Sequence, residues 1–244
     1  MSLVLKLLRA RRKWRLGKTL SCSVVIAAAG ISRRMEAGDK LFILINGEPV
    51  LIHTLKAFQS CKLVNEIIVV VSEENLERVA GLCKEYSIGK ATNVIIGGQT
   101  RLASVFNGVY AASKKADLIA IHDGARPCVD QNLISSAINT AAKHHAAAPA
   151  VPVNSTLKNV MDNRIINTVD RDNIFEVQTP QVFNAAVIKA ALTNATRKSI
   201  EITDDCKALE IIGFPIRITE GSPLNIKLTT KEDIRIAEAI LEGY

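Results

Sequence analysis

No acidic side chain precedes Glu36 in this chain, although 24 Asp and Glu residues stand against 31 Lys and Arg over its 244 positions. The imbalance is local. Lys6, Arg9, Arg11, Arg12, Lys13, Arg15 and Lys18 account for the whole formal charge of +7, and without these seven the remaining basic side chains equal the 24 acidic ones. A body of no net charge is a poor binder of polyanions, so nucleic acid is not an expected partner. Long apolar runs are missing as well. No stretch reaches the ~18 consecutive apolar residues that mark a spanning helix, and no stable membrane insertion is expected. The five cysteines, at 22, 61, 83, 128 and 206, share no paired metal spacing, and the four histidines are scattered. Neither a zinc cage nor a disulfide framework follows, and reduced thiols point to the cytoplasm.

Two familiar phosphate loops are also absent. The dinucleotide fingerprint needs three spaced glycines, and the loop after the first strand has only Gly30. Gly17-Lys18-Thr19 resembles the tail of a Walker loop, but Arg12 stands where its first glycine belongs and no strand precedes it.

What is present is a different kind of phosphate loop. Val24-Val25-Ile26 reads as a buried strand, and Ala27-Ala28-Ala29-Gly30-Ile31-Ser32-Arg33-Arg34-Met35 follows it. Small side chains there let backbone approach a ligand. Gly30 can take the positive φ of a tight turn, and Arg33 and Arg34 add cations beside free N–H groups. A triphosphate suits such a loop, and a turn without a ligand is the plain alternative.

Further along, strand and helix signals alternate. Lys40 to Ile45 leads into an Asn46-Gly47 hairpin turn, and Pro49 opens a helix to about Gln59. Ile67 to Val71 is a β-branched run with no alternation, which marks an interior parallel strand, and Glu73 to Tyr86 is its crossover helix. Asn93 to Ile96 is a strand ending in Gly97-Gly98-Gln99-Thr100-Arg101 before a helix through Ala112. Leu118 to Ile121 is a strand ending in His122-Asp123-Gly124-Ala125-Arg126-Pro127, after which Asp130 caps a helix to about His145. This rhythm predicts a doubly wound, Rossmann-like, mostly parallel α/β sheet, with three polar loops at strand ends converging on one pocket. From Val151 the rhythm breaks. Residues 152–172 are too long and polar for a simple connection, and we expect a projecting β-arm that pairs with a second subunit. Helices near 184–194 and 204–211, strands at Ile216–Thr219 and Asn225–Leu228, and an amphipathic helix over 230–242 complete the chain.

Nucleotidyl transfer asks a protein for positioning and charge neutralisation more than for covalent chemistry. Arg34, Lys40 and Lys227 are the cations that suit it, and Asp123 at a strand end suits Mg²⁺, which takes one or two carboxylates and completes its shell with phosphate and water. An acceptor phosphate already carries an anionic oxygen, so no general base is needed. Each residue has a plain structural alternative: Asp123 as a cap, Lys227 as a solvated side chain, His122 as a satisfied core histidine.

Together these segments resemble the 2-C-methyl-D-erythritol 4-phosphate cytidylyltransferase family, of the nucleotide-diphospho-sugar transferase type. The likeness rests on Ala27 to Gly30 with Arg33-Arg34-Met35 and Lys40, Gly97-Gly98 with Arg101 and Ser104, and His122 to Pro127. It continues through Thr168-Val169-Asp170-Arg171, Thr179-Pro180-Gln181, Ile202-Thr203-Asp204 and Asn225-Ile226-Lys227, in order from about residue 22 to the C-terminus. The resemblance implies transfer of CMP from CTP to 2-C-methyl-D-erythritol 4-phosphate, with pyrophosphate released, in the non-mevalonate route to isoprenoids. It implies that Arg34, Lys40 and Lys227 stabilise the pentacoordinate phosphorus and that Asp123 holds Mg²⁺. Ala28, Ala29, Gly30, Gly97, Gly98, Gln99, Arg101, Ser104, Asp123 and Gly124 would bind the nucleotide, with the Gly97–Ser104 loop reading cytosine. Arg126, Thr156, Arg171 and Thr203 would contact the acceptor, Thr156 and Arg171 being delivered by the arm of a homodimer partner. Ser32 replaces the family's usual glycine, and Asp39 its common proline, in a loop one residue short.

A ribitol 5-phosphate cytidylyltransferase is the nearest alternative, favoured slightly by Asp205-Cys206-Lys207, whereas Thr168 to Arg171 and Gly124-Ala125 favour the methylerythritol enzyme. A nucleotide-binding module without catalysis is the other, and retention of Arg34, Lys40, Asp123 and Lys227 together speaks against it. Residues 1–21 read as a basic extension before a catalytic domain over 22–244; an organelle-targeting peptide and a membrane-surface helix are the other readings of that leader.

Overall fold

In the computed structural model, residues 20–30 and 40–243 are described. Four parallel strands form one side of the main sheet, with β5 at its edge: β1 (Cys22–Ala28), β4 (Val64–Val71), β5 (Ala91–Ile96) and β6 (Leu118–Asp123). Two short strands, β2 (Leu44–Ile45) and β3 (Glu48–Pro49), make a separate hairpin, with Asn46 and Gly47 both at positive φ. The far side of the main sheet is antiparallel. There β11 (Gln181–Asn184) pairs with β6, and β7 (Ala146–Pro152) pairs with β11, with β10 (Phe175–Val177) and, in parallel, with β12 (Arg217–Glu220). The strand order is β10-β7-β11-β6-β1-β4-β5.

Strand alternation divides the core into two layers. Val24, Ile26, Ile67, Val69, Val71, Leu118 and Ala120 face one way, and Val25, Ile68, Val70, Ile119 and Ile121 face the other, as a period of two requires. On the first face lie α1 (Val50–Ser60), α2 (Leu76–Glu85), α4 (Gln131–His144) and α7 (Lys231–Glu242). On the second lie α3 (Arg101–Ala111), α5 (Ala185–Arg197) and α6 (Asp205–Ile211). A strand covered on both faces has no solvent side, which is why these strands are continuous apolar runs. The doubly wound, mostly parallel architecture is therefore the expected one.

Caps fix where the helices begin. Thr100 accepts from the Ala103 N–H, Asp130 from Leu133, Asp204 from Lys207, and Thr230 with Asp233 forms a capping box. The crossover helix expected over Glu73 to Tyr86 begins with a 3₁₀ turn at Glu73–Asn75.

One strand goes unannounced by the sequence, and one local expectation is corrected. Ala146–Pro152 is a strand, although its alanines and prolines carry no strand signal; pairing with three neighbours imposes it. Asn225–Leu228 is not a strand. Its backbone is used by loops instead: the Asn225 carbonyl accepts from Arg126 Nη1 at 2.6 Å, and the Leu228 N–H donates to the Ala125 carbonyl at 2.9 Å.

Between β7 and β10 the chain leaves the sheet. Its outer part is a hairpin of β8 (Lys158–Met161) and β9 (Arg164–Thr168), turning at Asp162 and Asn163, both at positive φ. Val160, Met161, Ile165 and Ile166 are all exposed on it, and Ile165 keeps 66% of its surface.

Candidate active site

The carboxyl ends of β1, β4, β5 and β6 open into one cleft of about 620 Å³, where an open α/β sheet holds its ligands. Ala27 to Gly30, Val71 to Glu74, Ile96 to Arg101, Asp123 and Ala125 line it, and Lys40, Leu41, Ser104 and Lys227 close it. Missing side chains let these loops meet. A Cβ on Gly97 would stand 2.7 Å from both Ala29 Cβ and Ser104 Oγ, and one on Gly124 would stand 3.2 Å from Ala28 Cβ. Gly30 is different. It does not take the positive φ expected of it, and among the described residues nothing lies within 4 Å of where its Cβ would be.

Asp123 is the electrostatic centre of the cleft. Its Oδ2 lies 2.9 Å from Lys227 Nζ and 3.5 Å from Arg126 Nε. Burial alone would raise its carboxyl, but Lys227, Arg101 and Arg126 outweigh burial and hold it at about 2. The backbone positions it from behind, since its N–H donates to Thr179 Oγ1 at 3.2 Å. Lys40 joins the same group, because its Nζ donates to the Leu228 carbonyl at 3.0 Å, one residue beyond Lys227.

His122 settles as a core histidine. Its Nε2 faces the Arg126 carbonyl at 3.3 Å, which can only accept, so the ring proton belongs on Nε2. Nδ1 then accepts from the Thr179 hydroxyl at 2.9 Å, and burial pushes the imidazole down to about 4.

The nucleotide wall is the loop from Gly97 into α3. Ser104 Oγ accepts from the Gly98 N–H at 3.0 Å and faces the Thr100 carbonyl at 3.0 Å, which ties the loop to the helix that follows. The first turn of α3 thus borders the cleft with the positive end of its dipole, a setting that favours an anion. Arg101 is held by both oxygens of Asp205. Ser72, Glu73 and Glu74 also line the cleft; the sequence marks Glu73 and Glu74 only as the start of a helix and leaves Ser72 unassigned.

Of the residues singled out from sequence, Ala28, Ala29, Gly30, Lys40, Gly97, Gly98, Gln99, Arg101, Ser104, Asp123 and Lys227 line this cleft. Gly124 lies just beneath it, its N–H donating to the Ala27 carbonyl at 3.0 Å. Arg126 is buried and spends its guanidinium on Asn225 and Asp123. Thr156, Arg171 and Thr203 are exposed and line no part of the cleft; Arg171 donates to the Asn154 carbonyl within the arm. Arg34, Ser32 and Asp39 lie outside the described residues.

As a cation site the cleft offers little protein. Among the described residues no group of three His, Cys, Asp or Glu side chains could cage a metal. Asp123, ionised and lining the cleft, fits a hard divalent ion that takes most of its ligands from phosphate and water.

Fold and cleft together define a class, the α/β nucleotidyltransferases. The family follows from the sequence: residues 22–243 match the IspD family model, 2-C-methyl-D-erythritol 4-phosphate cytidylyltransferase, and the chain belongs to that family. A Halalkalibacterium halodurans protein of that name is 43% identical over 220 residues, covering 90% of this chain and 96% of the relative. One from Dehalococcoides mccartyi is 41% identical over 219 residues, covering 89% and 95%. Among solved structures, the 4-diphosphocytidyl-2C-methyl-D-erythritol synthase of Anaerococcus prevotii superposes with a TM-score of 0.81 at 29% identity, covering 92% of this chain and all of that one. The 2-C-methyl-D-erythritol 4-phosphate cytidylyltransferase of Thermus thermophilus gives 0.77 at 32% identity, covering 90% and 98%.

Proposed function

We propose that this chain transfers the cytidylyl group of CTP to 2-C-methyl-D-erythritol 4-phosphate, forming 4-diphosphocytidyl-2-C-methyl-D-erythritol and pyrophosphate in non-mevalonate isoprenoid synthesis. The observation that carries this reading is the strand-end cleft, with Asp123, Lys227 and Lys40 gathered at its base, in a chain of that family.

An anionic oxygen of the acceptor phosphate attacks the α-phosphorus of CTP, one P–O bond forms, and the bond to pyrophosphate breaks. Lys227 and Lys40, with Arg34, neutralise the charge that gathers on the crowded phosphorus. The Gly97–Ser104 loop receives the nucleotide. Asp123 would hold a Mg²⁺ ion, which would supply positive charge beside the phosphates. On binding, the Lys227 ammonium exchanges its carboxylate partner for phosphate oxygens.

The arm completes the acceptor side. Thr156 and Arg171 lie away from the cleft of their own chain, and the arm exposes Val160, Met161, Ile165 and Ile166, apolar surface suited to a second copy. A two-fold dimer would bring each arm to the other subunit's cleft, where Arg171, with Arg126 and Thr203, would meet the acceptor phosphate. The boundary expected at residue 22 moves back, since Leu20 packs on the core and the Ser21 carbonyl accepts from the Leu118 N–H at 3.0 Å; the basic leader before them lies outside the described residues. A cytoplasmic setting suits the five free cysteines, and among the described residues no helix is long and apolar enough to cross a membrane.

The test is pyrophosphate release by the purified protein with CTP, Mg²⁺ and either 2-C-methyl-D-erythritol 4-phosphate or ribitol 5-phosphate. Turnover that favours ribitol 5-phosphate would reassign the acceptor, and no release with either would refute the reading.

A further inference from the structure

Arg101 and Asp205, 104 residues apart in sequence, meet in a two-pronged ion pair, Nη1 to Oδ1 at 2.9 Å and Nη2 to Oδ2 at 2.7 Å. The Asp205 side chain is wholly buried, whereas that of Arg101 keeps 29% of its surface and lines the cleft. Taking a carboxylate out of water is costly, and a buried pair is seldom a net source of stability. The placement of this one offers a different role.

Behind Asp205 the contacts run into the sheet. Gln181 Oε1 accepts from the N–H groups of Asp205 and Cys206, each at 3.0 Å, and its Nε2 donates to Asp204 Oδ2 at 2.9 Å. Gln181 opens β11 and sits opposite Ile121 on β6, the strand that ends in Asp123. Thr203 immediately precedes this clasp. In front of Asp205, Arg101 is the first residue of α3 and follows directly on the Gly97 loop. A connected set of bonds therefore links the strand bearing Asp123, the turn bearing Thr203 and the nucleotide wall. With both prongs committed to Asp205, Arg101 serves as a strut more than as a phosphate ligand.

We infer that Asp205 is a positioning residue: acting through Arg101, it fixes the Gly97–Ser104 loop against the Thr203 turn, so that the nucleotide wall and the acceptor side of the cleft keep one spacing. The inference rests on the cytidylyltransferase reading. It predicts that Asp205 affects both substrates while touching neither.

Asp205→Asn keeps the side-chain size and removes the charge. The expected result is a folded protein whose kcat/KM falls at least about tenfold, with KM raised for CTP and for the acceptor phosphate alike, because displacing reacting groups by about 1 Å is that costly. Calorimetric binding of CTP should weaken in parallel. Wild-type protein that binds CTP without turning it over would sink the functional reading, yet leave the role of Asp205 measurable through binding. Asp205→Asn with a lowered melting temperature but unchanged KM values and CTP affinity would make the pair purely structural and overturn the inference. Should Asp205→Asn fail to fold, Arg101→Gln and the double variant Arg101→Gln/Asp205→Asn, which removes both charges together, decide the matter. If Asp205 acts through Arg101, the double variant matches Arg101→Gln in CTP affinity and KM; a further loss in the double variant overturns it.

Discussion

Lys227 Nζ lies 2.9 Å from Asp123 Oδ2, joining a loop near the C-terminus to the end of the strand β6. The pair presents a cation and an anion to one cleft. The lysine side chain is 42% exposed and the aspartate 12%, so the lysine is the partner free to turn toward a ligand.

Lys227→Ala should therefore cost function more than stability. We expect turnover to fall by about a hundredfold or more, the scale for losing one preorganised charge donor, with the fold retained. Lys40→Ala should behave alike. In Lys227→Ala the Asp123 carboxyl loses the largest of the charges that hold it down, so any acid limb of the rate profile that reports Asp123 moves to higher pH. Near-normal turnover in either variant, measured by pyrophosphate release, would remove that lysine from the mechanism.

Asp123→Asn tests the anion. The neutral amide is a poorer ligand for a hard cation, so the variant should bind CTP weakly and need much more Mg²⁺ to reach half its maximal rate. An unchanged Mg²⁺ requirement would reduce Asp123 to a partner for Lys227 and Arg126.

His122 gives a prediction about pH. Burial lowers its folded pKa to about 4, below the ordinary 6.5, so the unfolded chain takes up this proton first as pH falls. Its contribution to stability is full above the ordinary value and is lost as pH falls from there toward about 4. Nitrogen NMR should find a neutral ring protonated on Nε2 at about pH 5.5. Titration near the ordinary value would contradict the buried arrangement.

Much of this was legible because buried parallel strands announce themselves. Val24–Ile26, Ile67–Val71 and Leu118–Ile121 are apolar without alternation, and a sheet covered on both faces demands that pattern. The loops after them fall at strand ends by topology alone. Ala146–Pro152 was illegible, since its strand is imposed by β10, β11 and β12 and not by local preference. Asn225–Leu228 misled in the opposite sense, as an apolar-polar alternation whose backbone bonds go to Arg126 and Ala125. The Arg101–Asp205 contact had no signal, because the two residues are far apart in sequence and no local spacing relates them.

The arm gives a prediction about assembly. If Arg171 serves the partner's cleft, each pocket of a two-fold dimer takes Lys227 from one chain and Arg171 from the other. Inactive Arg171→Ala and Lys227→Ala proteins, unfolded together, mixed equally and refolded, should form about half mixed dimers, each with one intact pocket, and recover roughly a quarter of wild-type activity. Mixed dimers without recovery would place Arg171 in its own chain's site.

The most direct test of the account follows the oxygen atoms. Purified protein is given CTP, Mg²⁺ and 2-C-methyl-D-erythritol 4-phosphate labelled with oxygen-18 on its phosphate, and both products are weighed by mass spectrometry. Attack by the acceptor phosphate on the α-phosphorus predicts that all the label stays in 4-diphosphocytidyl-2-C-methyl-D-erythritol and that the pyrophosphate is unlabelled. Label in the pyrophosphate, or no cytidylylated product, would contradict it.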